Sequence, residues 1–417
     1  MNILGAPKKG GAIRDSRTDV LFGIVNGLLS ALIVLIMLFP LYFIVIASIS
    51  DPYSVAKGQV FFWPKGFTLD AYAQVFNNSS IWTGYQLALR FAQYHLEGMV
   101  KKDNARVGIG AKGLTGEGYK GHSFWDTEIF LSPYYLLTEP SAAKTLLEYR
   151  FNTIGGAYQK AKEYGYQGAM YPWESAWIDD GEVTPKLGIA NIVTGEPMPV
   201  LTGMIEHHVT AAVAYAAQQY FCATGDQEFM DRCGYEIITQ TARFWASRAT
   251  WNEQLARYDI PDVIGPDEYK VHVDNNAYTN YMAWLNMTHA LKLTESLKRD
   301  RLGFYQVLDA RLDLEDTRRE IEQVAPKLYL PVPNEEGIIP QFDGFEELKQ
   351  LDLEKYKNSG TVRTIFRDYS MNQLRHLKVC KQADLLVLFF LMDDLFSADI
   401  KRRNYFFTSR ARCMTPP

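Results

Sequence analysis

A chain of 417 residues with 47% hydrophobic and 13% aromatic content can bury a large core and has room for two or three domains, which excludes a disordered protein. The formal net charge of -5 gives no general attraction for nucleic acid, which leaves small molecules, proteins or membrane as partners. Cys222, Cys233, Cys380 and Cys413 form no CxxC pair, so they suit core positions in a reducing compartment rather than a disulfide framework or a zinc site. No metal is expected either at His207 and His208, since neighbouring helical residues point in different directions.

In chain order, the first element is a charge-free run between Asp19 and Asp51, "VLFGIVNGLLSALIVLIMLFPLYFIVIASIS", long enough to cross a bilayer as a helix over about 20–49. A signal peptide would have a shorter apolar core, of roughly 7 to 15 residues. Lys8, Lys9, Arg14 and Arg17 precede the run, so the positive-inside rule places the N-terminus in the cytoplasm. The following "SDPYSVAKGQVFFWPKGFTLDAYAQVF" resembles the start of a permease subunit of bacterial ABC sugar importers. That family continues with several more membrane helices. The later apolar run Leu385 to Met392 is too short to span and is expected to be a core helix. A boundary is expected near Tyr85 and Gln86, dividing a permease-like part, 1–85, from a soluble part, 86–406, and a tail, 407–417.

Helical periodicity then marks Ser141 to Tyr164, Gly203 to Thr224, Tyr235 to Ala256, Ala277 to Leu297, Arg311 to Ala325 and Asn372 to Phe396, with little strand-like alternation. In the third of these, Ile237, Ile238, Thr241, Phe244 and Trp245 form one apolar stripe. The loops carry clustered Trp, Asp, Glu and Gly. "GEGYKGHSFWDTE" holds Trp125, Asp126 and Glu128; "YPWESAW" holds Trp173, Glu174 and Trp177; "DVIGPDEYKVHVDNNAYTN" holds Asp267, Glu268, Asn275 and Asn276. Aromatic faces pack on the C–H faces of a pyranose, while carboxylates and amides bind its hydroxyls. Core tryptophans would look the same, and Glu268 would equally serve as the cap of a helix starting near Tyr269. In "KVCKQADLLVLFF", Lys381, Gln382 and Asp384 interrupt an apolar helix, and charge placed there needs partners, as in a site lining.

The ordered set "GHSFWDTEIF", "YPWES", "GMIEHH", "ARFWASR", "DVIGPDEY", "VDNNAYTN" and "KQAD" resembles the catalytic domain of family 65 glycoside hydrolases, from about Gln86 to Asn404. The resemblance implies a mostly α fold, an incomplete (α/α)6 barrel preceded here by one transmembrane helix. It further implies an inverting disaccharide phosphorylase that transfers glucosyl from a kojibiose, nigerose or maltose type α-glucoside to phosphate, giving β-glucose 1-phosphate, with "GEGYKGH" favouring the kojibiose or nigerose type. The family's general acid falls on Glu268. Its glucosyl-binding residues fall on Trp125 and Asp126, Trp173 and Glu174, and Lys381 and Gln382. No cofactor is implied, inorganic phosphate being the co-substrate; a homo-oligomer is compatible with the family.

Inversion needs an acid for the leaving oxygen and a nucleophile on the opposite face. Glu268 as the acid should have a raised pKa, from burial beside apolar and aromatic groups. A membrane-tethered hydrolase, one alternative, would also need a base such as Asp126, Glu174 or Glu206, whereas phosphate is already a nucleophile; the other alternative is a membrane component of an ABC importer. An anchor with its N-terminus inside would carry the domain out of the cytoplasm, where the parent enzyme is expected.

Family members carry a β-sandwich before the barrel, a β domain after it and a phosphate-binding His-Asp-Ser-Ser loop just past "KRRNY". This sequence departs after Tyr405, so an accidental junction, a frameshifted tail and little phosphorolysis are the expectations. Shifted by one base, Met414 (ATG) followed by Thr415 (ACN) reads GAC, the Asp of that loop. DNA reads across 407–417 are therefore expected to spell the loop in the other frame; codons that cannot do so refute the shift.

Overall fold

The charge-free run folds as helix α1, Arg17–Ser48, in the computed structural model, which describes residues 17–190, 195–353, 356 and 364–411. Its segment Val25–Ser48, of mean hydropathy 2.8, is long and apolar enough to cross a membrane by length and composition. Lys8, Lys9 and Arg14 lie outside the described residues. The end of α1 is tied by Thr68 N–H donating to Ile49 O at 3.0 Å, and Phe39, Phe61 and Phe62 cluster with ring centroids 4.7 to 6.1 Å apart. Helix α2, Pro52–Ala56, starts where Asp51 accepts from Ser54 N at 2.8 Å. After α3, Asp70–Asn77, comes α4, Ser79–Met99. The chain divides into Met1–Tyr94 and His95–Pro417, a division inside α4; the junction expected near Tyr85 also falls within this helix.

In the second unit a π-helical turn, Thr127–Leu131, leads into α5, Ser132–Thr138. Helices α6, Pro140–Asn152, and α7, Ile154–Glu163, follow, then a long loop with the hairpin strands β1, Leu187–Ala190, and β2, Pro197–Pro199. Next are α8, Thr202–Ile205, α9, Val209–Thr224, α10, Gln227–Phe229, and α11, Tyr235–Arg248. Strands β3, Thr250–Asn252, and β4, Arg257–Asp259, pair antiparallel before α12, Ala277–Asp300, α13, Leu302–Leu312, and α14, Leu314–Val324. The last helices are α15, Met371–Leu374, α16, Asp384–Leu391, and α17, Ala398–Ala411.

This unit is mostly helical. Helix α11 packs against α9, α12 and α14, and α9 also packs against α6. Small residues allow the close approach of α9, where Ala211, Ala212, Ala214, Ala216 and Ala217 are all buried. The α11 stripe expected from periodicity is buried throughout, and so are Leu385, Leu388, Phe389 and Met392 in the short apolar run. A smaller cluster, centred on Tyr269, Leu353, Tyr356, Ile365, Leu374 and Val379, stands beside the main core.

Several expected helices end early, each for a local reason. The stretch Tyr235 to Ala256 stops at Arg248, because Ala249 turns extended and the three-residue pairing of β3 with β4 takes over, too short for alternation to register. Asn372 to Phe396 is not one helix: Lys381 and Gln382 sit in the turn before α16, so no charge interrupts an apolar helix. Gly203 to Thr224 breaks at Glu206, and Asp313, with φ 52°, separates α13 from α14. Of the expected tail, Phe407 stacks edge-on near Phe345 at 6.2 Å and Thr408 is buried; residues 412–417, including Cys413, lie outside the described residues. Cys233 and Cys380 are buried, whereas Cys222 is exposed rather than in the core.

One buried ion pair fixes the loops to the helices. Arg150 on α6 donates through Nε and Nη2 to Glu128 at 2.7 and 2.8 Å, through Nη1 to Ser175 Oγ at 2.8 Å, and through Nη2 to Phe124 O at 2.9 Å. Both side chains are almost entirely hidden from water. Arg150→Met is expected to destabilise the protein by about 3–5 kcal/mol, since it leaves Glu128 buried without a counter-charge, and adding Glu128→Gln should recover part of that loss. Urea unfolding measures both; an unchanged midpoint for Arg150→Met contradicts the assignment.

Candidate active site

Ser123 and Ser175 exchange backbone hydrogen bonds at 2.8 and 3.0 Å, so the loop carrying Trp125 and Asp126 lies against the loop carrying Trp173 and Glu174. Their rings close around one buried imidazole. His208, immediately before α9, has Trp125 at 4.5 Å, Trp173 at 5.4 Å and Tyr278 at 5.5 Å, all edge-on. Burial pushes its pKa down to about 3, so the imidazole is neutral, and Nε2 lies 3.1 Å from Glu206 Oε1. Burial likewise pushes Glu206 well above the usual carboxylate range, helped by the charges of Glu268, Asp384 and Asp126 and opposed by Lys381. Burial thus favours the neutral form of both groups on the floor of the site.

Glu268 stands above this floor on the turn after Gly265. That turn is drawn tight, since a Cβ at Gly265 would lie 2.3 Å from Asn276 Nδ2. The adjacent Asp267 is fully buried and serves as an anchor: Oδ1 accepts from Lys381 N at 2.8 Å and Oδ2 from Gln341 Nε2 at 3.1 Å. Lys270 Nζ donates to Leu374 O at 2.8 Å and to Leu377 O at 2.5 Å, docking the same turn on the smaller cluster. The two anchored turns meet at Glu268. Lys381 Nζ is 2.8 Å from Glu268 Oε2, and Gln382 Nε2 donates to Oε1 at 3.2 Å. About a third of the Glu268 side chain is exposed, 34%, so polar partners surround it where apolar burial was expected.

At the other side, His122 Nδ1 is 2.8 Å from Glu174 Oε2. Asp126 is exposed as a residue, yet burial of its carboxyl raises its pKa, with Glu128 and Glu268 adding to the shift. Glu206 Oε2, His208 Nδ1, Tyr278 Oη, Gln382 Oε1 and Asp384 Oδ1 have no hydrogen-bond partner among the described residues. Buried polar atoms of this kind call for a polar ligand or water.

Trp125, Asp126, Trp173, Glu174, Glu268, Lys381 and Gln382 are thus brought to one place from four separate segments. Other residues with sugar-like chemistry are not. Asn276 caps α12 by accepting from Thr279 N at 3.0 Å and donates to Asp384 at 2.9 Å; Asn275 donates to Asp259 at 3.0 Å and Asp343 at 2.7 Å. Trp177 lies outside the ring cluster, with Arg106 over its exposed face at 4.6 Å. No helix begins at Tyr269, so Glu268 is not a cap. His122, Arg150 and Tyr278 were not singled out from sequence, and His208 was weighed there only as a metal ligand; an arginine inside the apolar "LLEYRFN" and the paired histidines were the available signals.

Residues 90–413 match the model of the "Glycosyl hydrolase family 65 central catalytic domain". Kojibiose phosphorylase of Halothermothrix orenii is 48% identical over 322 residues, covering 77% of this chain and 41% of that protein. Nigerose phosphorylase of Lachnoclostridium phytofermentans is 34% identical over 319 residues, covering 76% and 42%. A solved structure from the human microbiome, provisionally assigned as a kojibiose phosphorylase, aligns with TM-score 0.67 at 26% identity, over 78% of this chain and 45% of that one. The chain spans about two fifths of the length of these curated relatives. With that match across most of its length, the chain belongs to glycosyl hydrolase family 65 through its central catalytic domain.

Proposed function

We propose that this domain binds the glucosyl unit of an α-linked disaccharide of the kojibiose or nigerose type and cleaves it with inversion, Glu268 acting as general acid and inorganic phosphate as nucleophile. The observation that carries this is the meeting of Glu268 with Lys381 and Gln382 over a floor ringed by Trp125 and Trp173. The rings offer faces to the sugar, while Asp126, Glu174, Lys381 and Gln382 bind hydroxyls. When a hydroxyl takes Lys381 Nζ, the Glu268 carboxyl is left to the leaving oxygen. Its proton passes to that oxygen as the glycosidic bond breaks; a phosphate oxygen forms the new bond at the anomeric carbon from the opposite face, and solvent reprotonates Glu268. The helical pairs would belong to an (α/α)6 barrel.

Hydrolysis is the poorer fit, because it needs a second carboxylate free to activate water. Glu206 is fully buried with its pKa pushed up by that burial, Glu174 is engaged by His122, and the Asp126 carboxyl is held up by burial. For the N-terminal unit, the length and apolarity of α1 support a membrane span; among the described residues it is the only helix that passes that test, which gives an importer role no further support.

Two outcomes follow from this site. Kojibiose is expected to quench the tryptophan fluorescence of the full chain; Glu268→Gln should keep its affinity within about threefold, whereas Trp173→Ala or Lys381→Ala should lose at least about tenfold, roughly 1.4 kcal/mol. Whatever turnover is present should require phosphate and fall at least about 100-fold in Glu268→Gln. Cleavage without phosphate, or unchanged cleavage in that variant, overturns the reading.

The second outcome concerns pH. Burial pushes Asp384 up to about 8, with Asp267 adding to it, and raises Glu206 in the same direction. Between the ordinary 3.8 and about 8, the folded chain keeps the Asp384 proton that the unfolded chain has lost, so stability falls as pH rises through that window. His208, lowered to about 3 from 6.5, acts oppositely below 6.5, and His207 does likewise. Unfolding free energy is therefore expected to fall from pH 6.5 to 8, by at most about 1.4 kcal/mol per pH unit for each carboxyl, and Asp384→Asn should remove its share of the slope. A stability that rises across this interval in denaturant titrations refutes the sign.

A further inference from the structure

We propose that Glu182 is the positioning residue for Trp173 and Glu174, with Lys160 as its buried counter-charge, one layer behind the side chains that meet the sugar. This rests on Trp173 and Glu174 being glucosyl-binding residues. Neither belongs to a helix or strand, so their backbone N–H groups have no ladder to join. The Glu182 carboxylate takes the place of one. Oε2 accepts from Trp173 N at 2.8 Å and from Lys160 Nζ at 2.5 Å, while Oε1 accepts from Glu174 N at 3.1 Å, Thr184 N at 3.1 Å and Thr184 Oγ1 at 2.7 Å. Val183 N–H donates back to Glu174 O at 3.3 Å, closing the loop on itself.

Five donors on two oxygens satisfy a carboxylate and suit no neutral side chain. A glutamine would turn an amide NH2 toward the Lys160 ammonium and at least one of these N–H groups. The fold is shaped to bring this carboxylate in. A Cβ at Gly156 on α7 would lie 2.4 Å from Asp180 O, so only glycine lets the segment 180–182 approach closely enough for Glu182 to reach Lys160, whose side chain is 2% exposed. On the other side, a Cβ at Gly203 in α8 would lie 3.2 Å from the Glu182 carboxyl carbon. Lys160 and Glu182 also line a cavity of about 470 Å³, which leaves room for substitutions without overpacking.

The test uses the full chain as Glu182→Gln and as Glu182→Gln/Lys160→Met, the second removing the buried charge that threatens folding in the first. Hydrogen exchange resolved to single amides is expected to speed up at least tenfold at Trp173 and Glu174 in both variants, with α11 amides keeping wild-type rates. Kojibiose affinity should fall at least tenfold in both. The double variant should regain much of the melting temperature yet neither the protection nor the affinity. Wild-type exchange at both amides in Glu182→Gln, or restored exchange and affinity in the double variant, overturns the proposal. If the unsubstituted chain binds no kojibiose, the functional reading fails, while the exchange measurement still decides whether Glu182 holds the loop.

Discussion

The buried guanidinium of Arg150 is the constraint on which the site depends. A single planar fork satisfies Glu128 on the π-helical turn, Ser175 beside the second tryptophan and the carbonyl of Phe124 beside the first. Arginine is suited to this because its five donors are fixed in one plane and its charge cannot be lost by burial. With Ser123 paired to Ser175 just above, the two tryptophan loops have one relative position, and the cluster of rings around His208 follows from it. The ion pair is better understood as a device for specifying loop geometry than as a source of net stability, since burying two charges roughly cancels what their attraction returns.

The polar groups of the site fall into two layers. Below, Glu206, His208 and Asp384 are fully enclosed, and desolvation favours the neutral form of each. Above, Glu268 and Lys381 pair at about one-third exposure, while His122 and Glu174 pair in a more enclosed position. A floor biased toward neutral forms leaves no bare charge in a dry place.

The sequence made the mostly helical character legible, along with the buried stripe of α11 and the short apolar helix α16, because each rests on periodicity within one segment. Trp125, Trp173 and Glu268 stood out because large aromatics and carboxylates crowd into glycine-rich loops. What stayed hidden depends on contacts between distant segments. Asn275 and Asn276 have sugar-binding chemistry, yet their amides are consumed by Asp259, Asp343 and Asp384, which no local pattern announces. Lys381 and Gln382 were assigned to a helix because the apolar run beside them dominates the window, although the chain turns there to reach Asp267. The β3 and β4 hairpin escaped because three residues per strand cannot establish an alternation.

The turn that bears Glu268 continues into Tyr269 and Lys270, which are packed and hydrogen-bonded within the smaller cluster rather than the main core. Glu268 is therefore mounted beside a separate small cluster, packed from a handful of side chains such as Leu353, Ile365 and Leu374. A patch with so few buried apolar contacts is expected to open at lower free energy than the large helical core. A substitution at Leu374, whose carbonyl accepts from Lys270 inside this cluster, would then disturb the turn that bears Glu268 while leaving the packing of the main core in place, so the two are separately adjustable in this domain.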